Sequence, residues 1–222
     1  MHNNVDLPQI MLYLNINNGK TTMIYDLQTL KIKYQKYSNI NQKIASECKK
    51  NNLVRVKRGL YTDNLKIDAP IIANICYGPS YISHEYALSY YGLIPEHVSV
   101  FTSACFNKKN NKTYSMNGCV LEYRSIPNEV FSYGIDYRKN DDGINYKIAT
   151  KEKALCDTLY SKYPIRSIGD LIIMLFDDLR IDEDEFYKLN FDFILSISNR
   201  YHSNTLLILS KFIREIQNGK IN

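Results

Sequence analysis

The chain has 222 residues, 45% of them hydrophobic and 23% charged, which suits one large or two small globular domains with a core that needs no disulfide or metal staple. Its longest apolar run, Leu171–Phe176, is six residues, far short of the roughly 18 to 20 that a membrane helix requires. The net charge of +5 is unevenly placed: residues 1–66 hold 11 Lys or Arg against 4 Asp or Glu, and the remainder 17 against 19. That asymmetry points to a polyanionic partner for the N-terminal part alone; the alternative is a solvated basic face with no partner.

In chain order, Pro8–Asn15 is apolar enough for a first helix, broken by Asn17-Asn18-Gly19. Thr22 can cap a second helix through Leu27, Leu30 and Ile32, and Lys33–Tyr37 reads as a turn. Ser38 or Asn39 then caps a third helix to about Asn51. At about 100° per residue, Ile40, Ile44 and Cys48 share one side, with Ala45 at its margin. Asn39, Gln42, Lys43, Ser46, Lys49 and Lys50 cluster on the other side, within an arc of roughly 120°. Next, Leu53–Lys57 alternates as a strand, Arg58-Gly59 supplies a turn and Leu60–Thr62 returns. Three helices followed by a basic two-stranded ribbon is the order of a winged helix-turn-helix.

Asp63–Ala69 reads as a polar linker, so domains are expected at 1–66 and 67–222. The second region opens with helices at Pro70–Cys76 and after Ser83, the latter ended by Gly92. Strands are predicted over His97–Ala104, over Lys112–Met116 and Cys119–Ile126 around an Asn117-Gly118 turn, and over Val130–Tyr137 and Ile144–Ala149. The last third is helical, with caps at Thr150, Ser167, Asp182 and Ser203. The expected fold is α+β: an N-terminal winged helix-turn-helix, then a mixed α/β domain with a helical C-terminus.

The chemistry of the third helix is that of base reading. Asn and Gln amides match adenine edges, and Lys matches guanine or phosphate. Arg55, Lys57 and Arg58 on the ribbon can reach a neighbouring backbone or minor groove. The candidate DNA-binding set is therefore Asn39, Gln42, Lys43, Ser46, Lys49, Lys50, Arg55, Lys57 and Arg58. The 19 tyrosines accompany abundant Asn, Lys and Ile and no Trp, a compositional bias rather than a base-stacking platform.

No phosphate-cradling glycine loop and no G-x-S-x-G elbow occurs. The four histidines are scattered, and His84-Glu85 is read as a surface position on a capped helix. The five cysteines form no C-x-x-C pair; no secretory signal, no metal, no cofactor and a cytoplasmic location are expected. A nuclease-like Glu47-Cys48-Lys49 triplet falls inside the third helix, whereas nuclease carboxylates usually stand on strands. No catalytic residue is assigned.

Three stretches carry a family resemblance. Leu53-Val54-Arg55-Val56-Lys57-Arg58-Gly59-Leu60-Tyr61 resembles the wing of AbiEi-type antitoxins. Gly78-Pro79-Ser80-Tyr81-Ile82-Ser83, with Ala87–Pro95, resembles the opening of their second region, and Ile148-Ala149-Thr150-Lys151-Glu152-Lys153-Ala154-Leu155-Cys156-Asp157 a later motif. The resemblance covers roughly residues 20–160; beyond that the chain is similar only in being helical. It implies a type IV toxin–antitoxin system. The winged helix would repress its own promoter at inverted repeats in double-stranded DNA. The C-terminal region would counteract a nucleotidyltransferase-like toxin, often without a stable complex. The alternatives are a stand-alone winged-helix regulator and a nuclease delivered to DNA.

Overall fold

The computed structural model describes residues 11–15, 21–116 and 118–220. Over these the chain is mixed α+β with a C-terminal helix. It divides into two compact units, the first running through Ile72 and including Lys139–Asn145, the second holding Ala73–Arg138 and the chain from Tyr146 onward.

The first unit comprises β1 (Met11–Asn15), β2 (Thr21–Asp26), α1 (Leu27–Lys33), α2 (Ile40–Lys49), β3 (Val54–Lys57) and β4 (Leu60–Thr62). Its strands pair antiparallel in the order β1-β2-β4-β3. Two expectations are overturned here. Met11–Asn15, predicted as part of a helix, is a strand whose register runs from Met11 opposite Tyr25 to Asn15 opposite Thr21. Residues 8–10 of that predicted helix and the Asn17-Asn18-Gly19 break lie outside the described residues. The helix predicted from Thr22 begins only after Asp26, whose Oδ1 accepts from the Thr29 N–H at 2.7 Å. The reason is local and distant at once. Thr21–Tyr25 is rich in β-branched and aromatic residues, which favour strands, and Ile24 and Tyr25 find partners in Thr62 and Tyr61 far along the chain.

The core of this unit is Tyr25, Leu30, Tyr34, Ile44 and Leu53, with Leu27, Ile40, Cys48 and Tyr61 packed against it. The β3–β4 turn forms as expected, with Gly59 at φ +84°. The segment read as a linker is bound at its start. Asp63 accepts from the Met23 N–H at 2.8 Å and from the Tyr25 hydroxyl at 3.1 Å, and the Asn64 amide donates to Thr22 Oγ1 at 2.9 Å. Polar side chains there serve the sheet instead of solvating a tether.

The second part of the chain continues through α3 (Ala69–Cys76), β5 (Ser80–Ile82), α4 (His84–Tyr90), β6 (Val100–Cys105), β7 (Lys112–Met116), β8 (Cys119–Ser125), β9 (Ile135–Lys139) and β10 (Asn145–Ala149). The sheet order is β7-β8-β6-β5-β10-β9; β6 runs parallel to β8 and β5 parallel to β10. The strand predicted from Val130 begins only at Ile135, because Asn128–Val130 after Pro127 forms a 3-10 turn. Helices α5 (Lys151–Ser161), α6 (Ile168–Ile172), α7 (Glu183–Tyr187), α8 (Phe191–Ser198) and α9 (Asn204–Gln217) follow, with a π-helical stretch at Ile173–Asp178. Thr150, Ser167 and Asp182 cap α5, α6 and α7 as their spacing predicts. Ser203 occupies the N-cap of α9 without a side-chain cap bond. Among the described residues no helix is long and apolar enough to cross a membrane.

Candidate nucleic-acid interface

The geometry of α2 follows from its caps and its buried face. Asn39 Oδ1 accepts from the Gln42 N–H at 3.0 Å, which starts the helix one residue later. Ile44 is buried in the core of the unit, Ile40 and Cys48 pack beside it, and Gln42, Lys49 and Lys50 remain exposed. At the other end the chain turns at Asn51, φ +59°, and the Asn52 N–H returns to the Glu47 carbonyl at 3.0 Å.

The structure separates the nine sequence-predicted residues by what they already hold. Asn39 is committed to the helix cap. Lys43 donates to Glu47 Oε1 at 2.7 Å, and its ammonium lies 4.7 Å from the Tyr37 ring centre. Hydrogen bonding to Glu47 raises the Lys43 pKa, while the bonds from Lys43 and Asn52 lower that of Glu47. In the Glu47-Cys48-Lys49 triplet the carboxylate is nearly buried and doubly hydrogen-bonded, by Lys43 on α2 and by Asn52 just beyond it. Lys57 is half-buried in β3, whereas Arg55 and Arg58 are exposed.

Six of the nine fall on two flanks of α2. Asn39, Gln42, Lys43 and Ser46 line a shallow pocket of about 280 Å³ with Tyr37 and Ser38. Arg55 and Arg58 line a different groove of about 550 Å³, between α2 and the β3–β4 hairpin. Across from the arginines stand Asn41 and Ala45, over apolar Leu27, Ile44, Cys48 and Tyr61. Asn41 and Ala45 are both exposed, and neither belonged to the predicted set. A helical wheel places Asn41 beside Cys48, on the side read as apolar. Only the hairpin's position shows that this side opens to solvent next to two arginines. In that groove burial raises the Cys48 thiol pKa and the Arg55 charge opposes the rise.

The second unit holds a polar cluster of the opposite kind. Lys153 and Asp157, one turn apart on α5, are completely buried and pair at 2.7 Å. The Tyr201 hydroxyl donates to Asp157 Oδ1 at 2.7 Å, and Lys153 Nζ donates to the same hydroxyl at 2.6 Å. Ser83 Oγ and the Tyr81 hydroxyl donate to Asp157 Oδ2 at 2.7 and 3.0 Å. Burial is the largest single influence on Asp157 and works to raise its pKa, but the Lys153 charge and the hydrogen bonds from Lys153 and Tyr201, among other contributions, together outweigh it and the net shift is downward. Burial, reinforced by Asp157, pushes the Tyr81 and Tyr201 hydroxyls well up.

His84, expected at the surface, is wholly buried at φ +56°, with no hydrogen-bond partner at Nε2. Its burial depresses the imidazole pKa to about 4. Ser83 stands at the N-cap of α4 but spends its hydroxyl on Asp157 instead of the helix, drawing the first turn inward. Its neighbour Glu85 stays near the surface, paired with Arg124 at 2.7 Å and Lys162 at 2.9 Å. Among the described residues no group of three or more His, Cys, Asp or Glu is placed to hold a metal ion. All five cysteines are free thiols.

Compared with known proteins, the chain matches no family model and no curated protein.

Proposed function

We propose that this chain is a DNA-binding regulator, with α1, α2 and the β3–β4 hairpin acting together as a winged helix-turn-helix. The observation that carries the reading is the pairing of a solvent-facing amide and lysine surface on α2 with two exposed arginines on a hairpin beside it. A duplex offers both surfaces what they need: base edges for Gln42 and Lys49 in a major groove, phosphates for Arg55 and Arg58. The strand β1 stands where a first helix was expected, so the reading rests on α1, α2 and the hairpin alone. The stretches at Leu53–Tyr61, Gly78–Ser83 and Ile148–Asp157 that resemble AbiEi-type antitoxins support a narrower version. In it the protein acts in the cytoplasm, represses its own promoter at inverted repeats, and counteracts a nucleotidyltransferase-like toxin through its second unit.

The test is a gel shift of the full-length protein on the DNA upstream of its own reading frame, across a salt series. Specific binding is expected to weaken with salt, and Arg55→Ala with Arg58→Ala to flatten the slope by nearly one unit per lost phosphate contact. Unchanged affinity after both substitutions overturns the interface. Co-expression with the neighbouring gene product separates the two versions: protection from growth arrest supports the antitoxin, and its absence leaves a stand-alone regulator.

A further inference from the structure

We infer that Asn41 and Ala45, the two exposed α2 residues facing the hairpin arginines, set the sequence preference on that flank, with Ala45 selecting a thymine through its 5-methyl group. The inference rests on the DNA-binding reading and deepens it. Sequence spacing centred the reading face near Ser46, but the structure turns it. Asn41, Gln42, Ala45 and Lys49 are exposed, Lys43 and Ser46 only partly so, and Ile44 and Glu47 are buried. Two of the residues first assigned to reading are occupied: Asn39 caps the helix and Lys43 is bound to Glu47. Asn41 and Ala45 have no such duty and open onto the groove that Arg55 and Arg58 share.

The chemistry of that groove favours a nucleic-acid strand. Two guanidinium forks on one hairpin can hold successive phosphates bidentately and so fix how α2 sits in the adjacent major groove. Asn41 and Ala45, four residues apart, are separated by about 6 Å along the helix axis. That span covers one to two base steps of about 3.4 Å. An asparagine amide can take adenine N6 and N7 together, and an alanine methyl, which can form no hydrogen bond, discriminates by contact with the thymine methyl. The pair therefore specifies A·T pairs at neighbouring steps. The competing explanation of Ala45 is helix propensity alone, since alanine is the best helix former; it assigns the methyl no role in base choice. An acidic protein segment is the other occupant the arginines could attract, and it would leave base preference untouched.

The experiment is selection of duplexes from a random pool by the full-length chain and by its Ala45→Gly, Ala45→Ser and Asn41→Ala variants, followed by affinity measurement on the enriched site with each thymine replaced by uracil. Removing one thymine methyl is expected to weaken the natural chain about fourfold, the worth of one buried methyl-sized group, and to leave Ala45→Gly and Ala45→Ser unaffected. Asn41→Ala is expected to lose the preference for adenine at a neighbouring step. Uracil substitution that costs the natural and the Ala45 variants equally at every position overturns the assignment of Ala45. An unchanged motif from Asn41→Ala overturns that of Asn41. If the natural chain enriches no duplex, the DNA-binding reading itself fails and takes the inference with it.

Discussion

Each unit contains a lysine paired with a carboxylate one helical turn later, at the same 2.7 Å: Lys43 with Glu47 on α2, and Lys153 with Asp157 on α5. The side chains of the first pair are 22% and 12% exposed and those of the second 0% and 0%. That difference gives identical spacing opposite meanings. Near the surface, water and salt screen the attraction, and such a pair contributes little. In the core both ions have lost their hydration, and the pair persists because Tyr81, Ser83 and Tyr201 add hydrogen bonds to the carboxylate. Removing one partner there strands the other in a medium that cannot solvate it. The first unit holds this pair close to solvent; the second turns its pair inward, where hydrogen bonds tie α5 to Tyr81, Ser83 and Tyr201.

The largest expected effect breaks the inner pair. Lys153→Met should cost the second unit about 3–5 kcal/mol by leaving Asp157 uncompensated, and adding Asp157→Asn should restore part of it. Urea unfolding followed through amide exchange in α5 measures both, and a loss below about 1 kcal/mol for the single variant would remove the network from any role in stability.

Next is the acid side of the same cluster. His84 titrates at about 4 in the folded chain against 6.5 in the reference state. The unfolded chain therefore binds the extra proton first, and stability is present above pH 6.5 and drains away as pH falls toward 4. The full loss from this one group is about 3 kcal/mol. Asp157 and Glu85, both shifted downward, act in the same direction at lower pH, as their own folded values are approached. His84→Asn, which tolerates the left-handed backbone, should flatten the slope between pH 6.5 and 4. A slope identical to that of the natural chain would show that His84 is not the group responsible.

In the first unit the effects are smaller. Gly59→Ala should cost about 1 kcal/mol. An added Cβ meets nothing within 4 Å, so the φ of +84° alone accounts for the cost. Thermal melts compare the variant with Gly118→Ala, another open turn glycine at φ +81°; a neutral Gly59→Ala would mean the hairpin relaxes freely. The smallest effect belongs to Lys43→Ala, expected to leave the unfolding midpoint nearly in place. If it unfolds the chain as readily as Lys153→Met, the contrast between the two pairs fails.

Much of this could be read along the chain, and particular residues show where reading stops. Asn39, Thr150, Ser167 and Asp182 cap helices because a short polar side chain two or three residues before a free N–H satisfies it without help from elsewhere. Gly59 and Gly118 make turns because they lack a Cβ at positive φ. The same local logic misplaced β1 and β2, strands that form by pairing with each other and, for β2, with β4 far along the chain. It also gave no sign that Lys43 pairs with Glu47, or that Asn41, on the side read as apolar, is exposed. A helical wheel gives directions around one axis, and says nothing of which direction a hairpin will line with arginines.

Local chemistry alone, then, determined the caps, the turns, the α2 helix with its basic amide face, and the charge imbalance between the two ends of the chain. Those depend on groups within a few residues of one another, or on composition, and need no fold to express them. Burial is different, because it depends on what the rest of the chain brings. Only the tertiary structure decided that β2 pairs with β4, that His84 is enclosed, and that Tyr81, Ser83, Lys153, Asp157 and Tyr201, widely spaced along the chain, share one carboxylate. Water is excluded from such a cluster by the whole unit at once, and its electrostatics follow from that exclusion.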